Sequence, residues 1–176
     1  METKITLTPY LAEYLIHKFG NGPGTAIVIP DSDDLYHLIW DLMSIRPADV
    51  TPIDTGNVTI KLPDRRRGKD PQYYNYIKPR YQFLIDAKVR RLFNAELHQM
   101  LDENHAHGHL ENNLDLVVRF LGSRCITSVT EDALLKNYYR WRENNRKKKR
   151  RAYKKKLNNA QNHSDQTCLN VHSEGY

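Results

Sequence analysis

The 176 residues include 27 Lys or Arg and 21 Asp or Glu, for a formal net charge of +6, with 39% hydrophobic and 27% charged positions. That length leaves room for one full hydrophobic core, or for a compact domain with a small lobe and a tail, and excludes a large multidomain machine. Its two cysteines, Cys125 and Cys168, lie far apart, so neither a disulfide framework nor a paired-cysteine zinc site is indicated and reduced thiols are expected.

No run approaches the roughly 18 apolar residues that a bilayer span needs. Met1-Glu2-Thr3-Lys4 leads into a strand-like run without a signal-peptide core, so a cytoplasmic protein without membrane contact is expected. Ile5 and Leu7 mark one face of a short strand. Thr8-Pro9 then supplies a cap and a first-turn proline for a helix through Phe19, stopped by Gly20. After a turn at Asn21 to Gly24, Ala26-Ile27-Val28-Ile29 has the character of a short apolar strand. Asp31 or Ser32 can cap the next helix, which carries Leu35, Leu38, Ile39, Leu42 and Met43 on one stripe and closes at Arg46-Pro47. Val58, Ile60 and Leu62 alternate as a third strand, so residues 1–63 are predicted to form a small β-α-β-α-β lobe.

Residues 64–79 are predicted as a loop holding Arg65-Arg66-Arg67-Gly68-Lys69 and then Tyr73, Tyr74 and Tyr76. From Arg80 to about Glu103, Ile85, Val89, Leu92, Phe93, Leu97, Met100 and Leu101 recur at helical spacing. Leu114, Val117, Val118 and Leu121 follow on a second helix, with Gly122 placed for a left-handed C-cap. Ser128-Val129-Thr130-Glu131 matches a capping box opening a third helix, whose stripe Leu134, Tyr138 and Trp141 stops where the charges begin. The expected fold class is therefore α+β: the small lobe, a three-helix, helix-turn-helix-like bundle over 80–157 with a basic helical extension, and a disordered tail over 158–176.

The charge becomes informative once it is located. From Lys136 to Lys156 there are twelve Lys or Arg and one acid, Glu143, so this stretch carries +11 and all other residues together −5. Such asymmetry directs a chain toward phosphates. Like charges at i and i+4 repel, so the extension is expected to fray alone and to gain helicity when an anion neutralises it.

On the reading helix, Lys136, Asn137, Arg140 and Arg142 are the candidate base contacts, because Arg suits guanine edges and Asn suits adenine. Arg146, Lys147, Lys148, Lys149, Arg150, Arg151, Lys154 and Lys155 lack that variety and suit phosphates. Arg65, Arg66, Arg67 and Lys69 could grip the backbone as a wing-like loop, whereas the tyrosines after them are expected to pack on the long helix. Readers of this kind commonly dimerise, with the helix from Arg80 to Glu103 as a candidate contact surface.

Other classes compete with DNA. Arginine-rich helices also bind structured RNA, and Lys147 to Arg151 has the composition of a localisation signal in a protein-interaction or scaffold protein. His105, His107 and His109, with His98 before them, would project to one side of an extended segment and are the candidate metal ligands. His105-Ala106-His107 with Tyr138-Tyr139 is faintly similar to the histidine-hydrophobe-histidine strand and nucleophilic tyrosine of relaxases and rolling-circle replication proteins, a metal-dependent nuclease reading in which alanine replaces the bulky hydrophobe. No phosphate-binding glycine loop or serine elbow is present, so a non-enzymatic protein without a cofactor is expected.

Tyr10 to Phe19 and Leu134 to Arg142 resemble segments of uncharacterised small basic DNA-binding proteins of bacterial phages and mobile elements. The resemblance covers two short patches and implies a prokaryotic accessory or regulatory DNA-binding role.

Overall fold

A computed structural model describes residues 1–20, 24–51, 55–65 and 67–171, with side chains through Lys156. Over the described residues the chain is mixed α+β and mostly helical, with five α-helices and short strands. It divides into two compact units, Met1–Asp132 and Ala133–Tyr176.

In the first unit, β1 (Glu2–Ile5) pairs antiparallel with β3 (Val58–Lys61), in a register that sets Thr3 opposite Ile60 and Ile5 opposite Val58. Alternation buries Ile5, Val58, Ile60 and Leu62. The strand expected at 26–29 is reduced to a single parallel bridge, in which Ile27 N–H donates to Thr59 O and Lys61 N–H donates to Ile27 O, each at 2.9 Å. Pro30 has no N–H to extend the pairing, and Val28 N–H turns away toward Phe19 O.

Helix α1 (Pro9–Phe19) starts at the expected proline, but the Thr8 side chain makes no cap of its own. Instead Asp86, on helix α3 (Gln82–Ala106), accepts from Thr8 N–H at 2.8 Å, and Arg90 donates to both Thr8 Oγ1 and Asp86. Helix α2 (Asp34–Leu42) is capped by Asp33, which accepts from Leu35 N–H at 2.8 Å, so neither Asp31 nor Ser32 has that role. Met43 is buried as expected, yet it begins β2 (Met43–Ser44), which pairs with β4 (Tyr76–Ile77) inside the segment expected to be a loop. Lys69 ends α2 by donating to Trp40 O and Asp41 O, two carbonyls that the last turn leaves without partners. Of the expected turn at 21–24, only Gly24, at φ +77°, lies among the described residues.

Helix α3 is the centre of this unit and packs against α1, α2 and α4 (Asn113–Ser123). Ile85, Val89, Phe93, Leu97 and Leu101 recur every four residues and are all fully buried. This stripe is core and is closed to any partner. Tyr10, Tyr14 and Phe120 surround Phe93 edge-on with ring centroids 5.2, 5.4 and 5.5 Å away. An arrangement of this kind adds about 0.5–1.5 kcal/mol per pair to the burial itself. Residues 1–63 therefore share one core with α3 and α4.

Beside that core, Glu96 of α3 accepts from Tyr14 Oη at 2.7 Å and pairs with Lys18 and, at 3.4 Å, with Arg124. Burial pushes the Glu96 carboxyl upward, but the hydrogen bonds from Lys18 and Tyr14 and the nearby cations outweigh it and hold the pKa below the usual glutamate value. The Tyr14 phenol moves up, through burial first and then through its bond to Glu96.

Helix α4 does not use Gly122 as its left-handed cap. Cys125 takes that conformation at φ +52°, while Ile126 N–H donates to Leu121 O and Cys125 N–H to Gly122 O, the two bonds of a Schellman motif. Leu121 and Ile126 are both buried, as the motif's hydrophobic contact requires. The second unit is the body of α5 (Glu131–Val171), a helix of 41 residues. It continues through residues 158–171, where a disordered tail was expected; 172–176 lie outside the described residues.

Candidate nucleic-acid interface

Helix α5 contains neither Gly nor Pro and is rich in Lys, Arg, Leu and Asn, so nothing in its sequence breaks it. At about 1.5 Å rise per residue it forms a rod on the order of 60 Å long. Glu131 and Asp132 in the first turn complement the positive end of its dipole. Ser128 lies outside the helix and does not form the expected capping box. The Thr127 and Ser128 N–H groups donate to the Glu13 carboxylate on α1 at 2.8 and 3.1 Å, and both hydroxyls donate to it as well. Burial raises the Glu13 pKa, and these bonds more than reverse that, leaving it lowered. The connection ahead of α5 is thereby fastened to α1.

A turn of about 100° per residue assigns each α5 side chain to a face. Leu134 and Tyr138 are buried and Trp141 is half-buried, its ring stacked 6.1 Å from that of Tyr138. The opposite face gathers Lys136 and Arg140, and its continuation carries Lys147, Arg151 and Lys154, while Asn137, Asn144 and Lys155 stand between this face and Trp141, all exposed. Arg142 does not join them. It is half-buried on the adjoining flank, which it shares with Arg146, Lys149, Arg150 and the exposed Tyr139 and Tyr153. Lys148 is exposed at the edge of the first face. The one acid of the stretch, Glu143, pairs with Lys147 at 3.7 Å in an exposed i, i+4 contact worth little.

Two residues on these faces had no assigned role from sequence, Asn144 and Tyr153, and Tyr139 had one only beside Tyr138 in the relaxase comparison. For Asn144 the signal was available, since it stands two helical turns beyond Asn137. The tyrosines needed their exposure, 49% for Tyr139 and 65% for Tyr153, to be told from packing residues.

The expected wing is built differently. Arg65 stacks its guanidinium over Tyr36 and Trp40, 5.2 and 4.9 Å from the ring centroids, and contacts His37. Lys69 is occupied as the C-terminal cap of α2, and Gly68, at φ +108°, lies where a Cβ would meet Trp40 at 2.8 Å. Two of the cluster's cations thus hold the loop against α2. Arg67 is exposed, and Arg66 lies outside the described residues. Of the tyrosines that follow, Tyr76 is buried in β4 while Tyr73 is exposed.

No protein-family model, curated protein or solved structure matches this chain. Its chemistry is therefore read from the geometry. His105 is the penultimate residue of α3, His107 caps the helix and His109 follows at φ +57°, so the three do not line an extended strand. His105 Nδ1 contacts His109 Nε2, whereas His107 Nδ1 donates to Glu103 O at 2.7 Å. Among the described residues no group of three or more His, Cys, Asp or Glu could hold a metal ion. Tyr138 is fully buried, which withdraws its hydroxyl from the nucleophilic role in the relaxase comparison.

Proposed function

We propose that this protein binds duplex DNA without catalysing a reaction, with α5 lying in the major groove. The observation that carries this reading is the helix over 136–156, on which twelve cations, all but Arg142 exposed, stand against one acid and occupy nearly the whole circumference. A rod charged all round fits a channel whose two walls both carry phosphate. The major groove of B-DNA, about 12 Å wide, admits a helix in that way. The deep, narrow major groove of A-form RNA does not.

In this reading Lys136, Asn137, Arg140 and Asn144 face base edges, and the cations from Arg146 onward neutralise phosphates. Helix α4, the connection Arg124 to Thr130 and α5 follow one another in the order of a helix-turn-helix-like unit. The role is transcriptional control or mobile-element maintenance, at the nucleoid if the cell is prokaryotic. Among the described residues no helix is long and apolar enough to cross a membrane. RNA is the second reading, favoured by Tyr139 and Tyr153 on the arginine flank, since exposed aromatics among cations stack on unpaired bases.

Fluorescence anisotropy with duplex DNA, single-stranded DNA and structured RNA, each over several salt concentrations, separates these cases. Duplex is expected to bind tightest, and truncation after Asn145 to abolish binding. Retention of binding by the truncated chain would reduce the basic run to a solvated tail, and preference for structured RNA would transfer the site to that partner.

A further inference from the structure

A groove reaches one side of a helix. When Lys136, Arg140, Lys147, Arg151 and Lys154 face the DNA, the flank that carries Tyr139 and Tyr153 is turned away from the groove floor, and it is as cationic as the face that docks. Along that flank Tyr139, Arg142, Arg146, Lys149, Tyr153 and Lys156 follow one another at alternating steps of three and four residues, which keeps them on one stripe. Apolar side chains at this spacing make a seam for another helix, but cations at four of the six positions exclude that partner. All but Arg142 are exposed.

The two rings identify what the stripe suits. Tyr139 and Tyr153 are 49% and 65% exposed. A paired base keeps its faces inside the duplex, whereas an unpaired base stacks on an exposed ring, and cations beside the ring track the strand's backbone. The tyrosines are 14 residues apart in sequence, which is about 21 Å along the helix, the length of about six nucleotides at the 3.4 Å of a stacked strand. Arg146 and Lys149 lie between them and Lys156 just beyond. We propose that this stripe is a second nucleic-acid face, which takes a single DNA strand by stacking unpaired bases on Tyr139 and Tyr153 and pairing its phosphates with Arg146, Lys149 and Lys156. The proposal rests on the reading of α5 as a duplex-binding helix and narrows its target to DNA in which a duplex continues into a single strand.

Fluorescence anisotropy of the full chain with a labelled thymidine oligonucleotide of about 12 nucleotides, long enough to span both rings, is the test. Tyr139→Leu with Tyr153→Leu keeps apolar bulk and removes the aromatic faces. It is expected to weaken the strand about twentyfold or more, since each stacked base contributes about fivefold at the least, and to leave duplex affinity within about twofold. Tyr139→Phe with Tyr153→Phe keeps strand binding, and excess unlabelled duplex leaves the labelled strand in place. Far-UV circular dichroism verifies that each variant folds. A strand that the chain does not bind, a leucine variant that loses nothing or loses strand and duplex equally, displacement of the strand by duplex, or preference for a uridine strand of the same length overturns the inference. A chain that holds the strand through its tyrosines but binds no duplex refutes the groove reading alone.

Discussion

Lys147 and Arg151 share a face of α5 with Lys136 and Arg140, whereas Lys149 and Lys156 fall on the side of the buried Leu134 and Tyr138. If α5 docks in a groove by its open face, the two pairs of cations must differ in effect although they have equal charge. Each phosphate neutralised contributes about 0.9 to the slope of log affinity against log salt, so a fourfold rise in salt costs about 3.5-fold per contact. With roughly five to seven contacts from the open face, the wild-type slope is expected near −4.5 to −6. Lys147→Gln with Arg151→Gln should reduce its magnitude by about 2, and Lys149→Gln with Lys156→Gln by less than about 1. Glutamine keeps helix propensity close to that of Lys and Arg, so the comparison isolates charge. Anisotropy titrations of one labelled duplex at four or more salt concentrations measure both slopes. Equal losses from the two pairs would show that the cations act as a diffuse cloud with no docked face. A slope near zero would remove phosphate binding altogether.

Three further outcomes follow from the fold. Cys125→Gly relieves a left-handed position that disfavours a side chain and should raise stability by about 0.5–1 kcal/mol after the entropy cost of glycine; a lower urea midpoint would contradict this. Glu96 has a lowered pKa in the folded state, so its contribution is present above the unfolded value of about 4.3 and is lost as pH falls through the folded one; Glu96→Gln should flatten the fall in the urea midpoint between about pH 5 and 3, and an unchanged profile would remove Glu96 from that role. Six like-charge pairs at i, i+4 between Lys136 and Lys155 oppose the helix by about 1–3 kcal/mol together, so far-UV helical signal should deepen with salt or duplex DNA, and indifference to both would show the repulsion to be negligible.

Apolar periodicity made α1, α3 and α4 legible, because burying a stripe every three or four residues is a local pattern with a global consequence. Caps and ends were less legible, since the sequence shows which groups need partners but not which distant group reaches them first. Ser128 had the spacing of a capping box, and Glu13, from another helix, took its hydroxyl. Thr8 caps nothing with its hydroxyl, and its own N–H is held instead by Asp86 of α3. Lys69 ends α2 from nearly thirty positions away, in a cluster that charge alone assigned to phosphate. Gly122 was the natural left-handed residue, but α4 runs one residue further and the conformation falls on Cys125.

The candidate site divides along the same line. The number and density of cations are properties of the sequence, but their sorting into faces depends on the phase of a helix that continues unbroken. That phase also bears on why the cations are there. The first unit contains 15 Lys or Arg and 18 Asp or Glu, and several of its cations pair with its own acids, Lys18 with Glu96 and Lys88 with Asp34 among them. From Arg146 to Lys156 every side chain is exposed, and among the described residues the ion pair in that run is Lys147 with Glu143. These cations therefore repel one another along their own helix while adding no buried contact. A surface that weakens its own element without strengthening another is offset only by counterions. A polyanion supplies them at a fixed spacing, and that is the physical reason for placing DNA against α5.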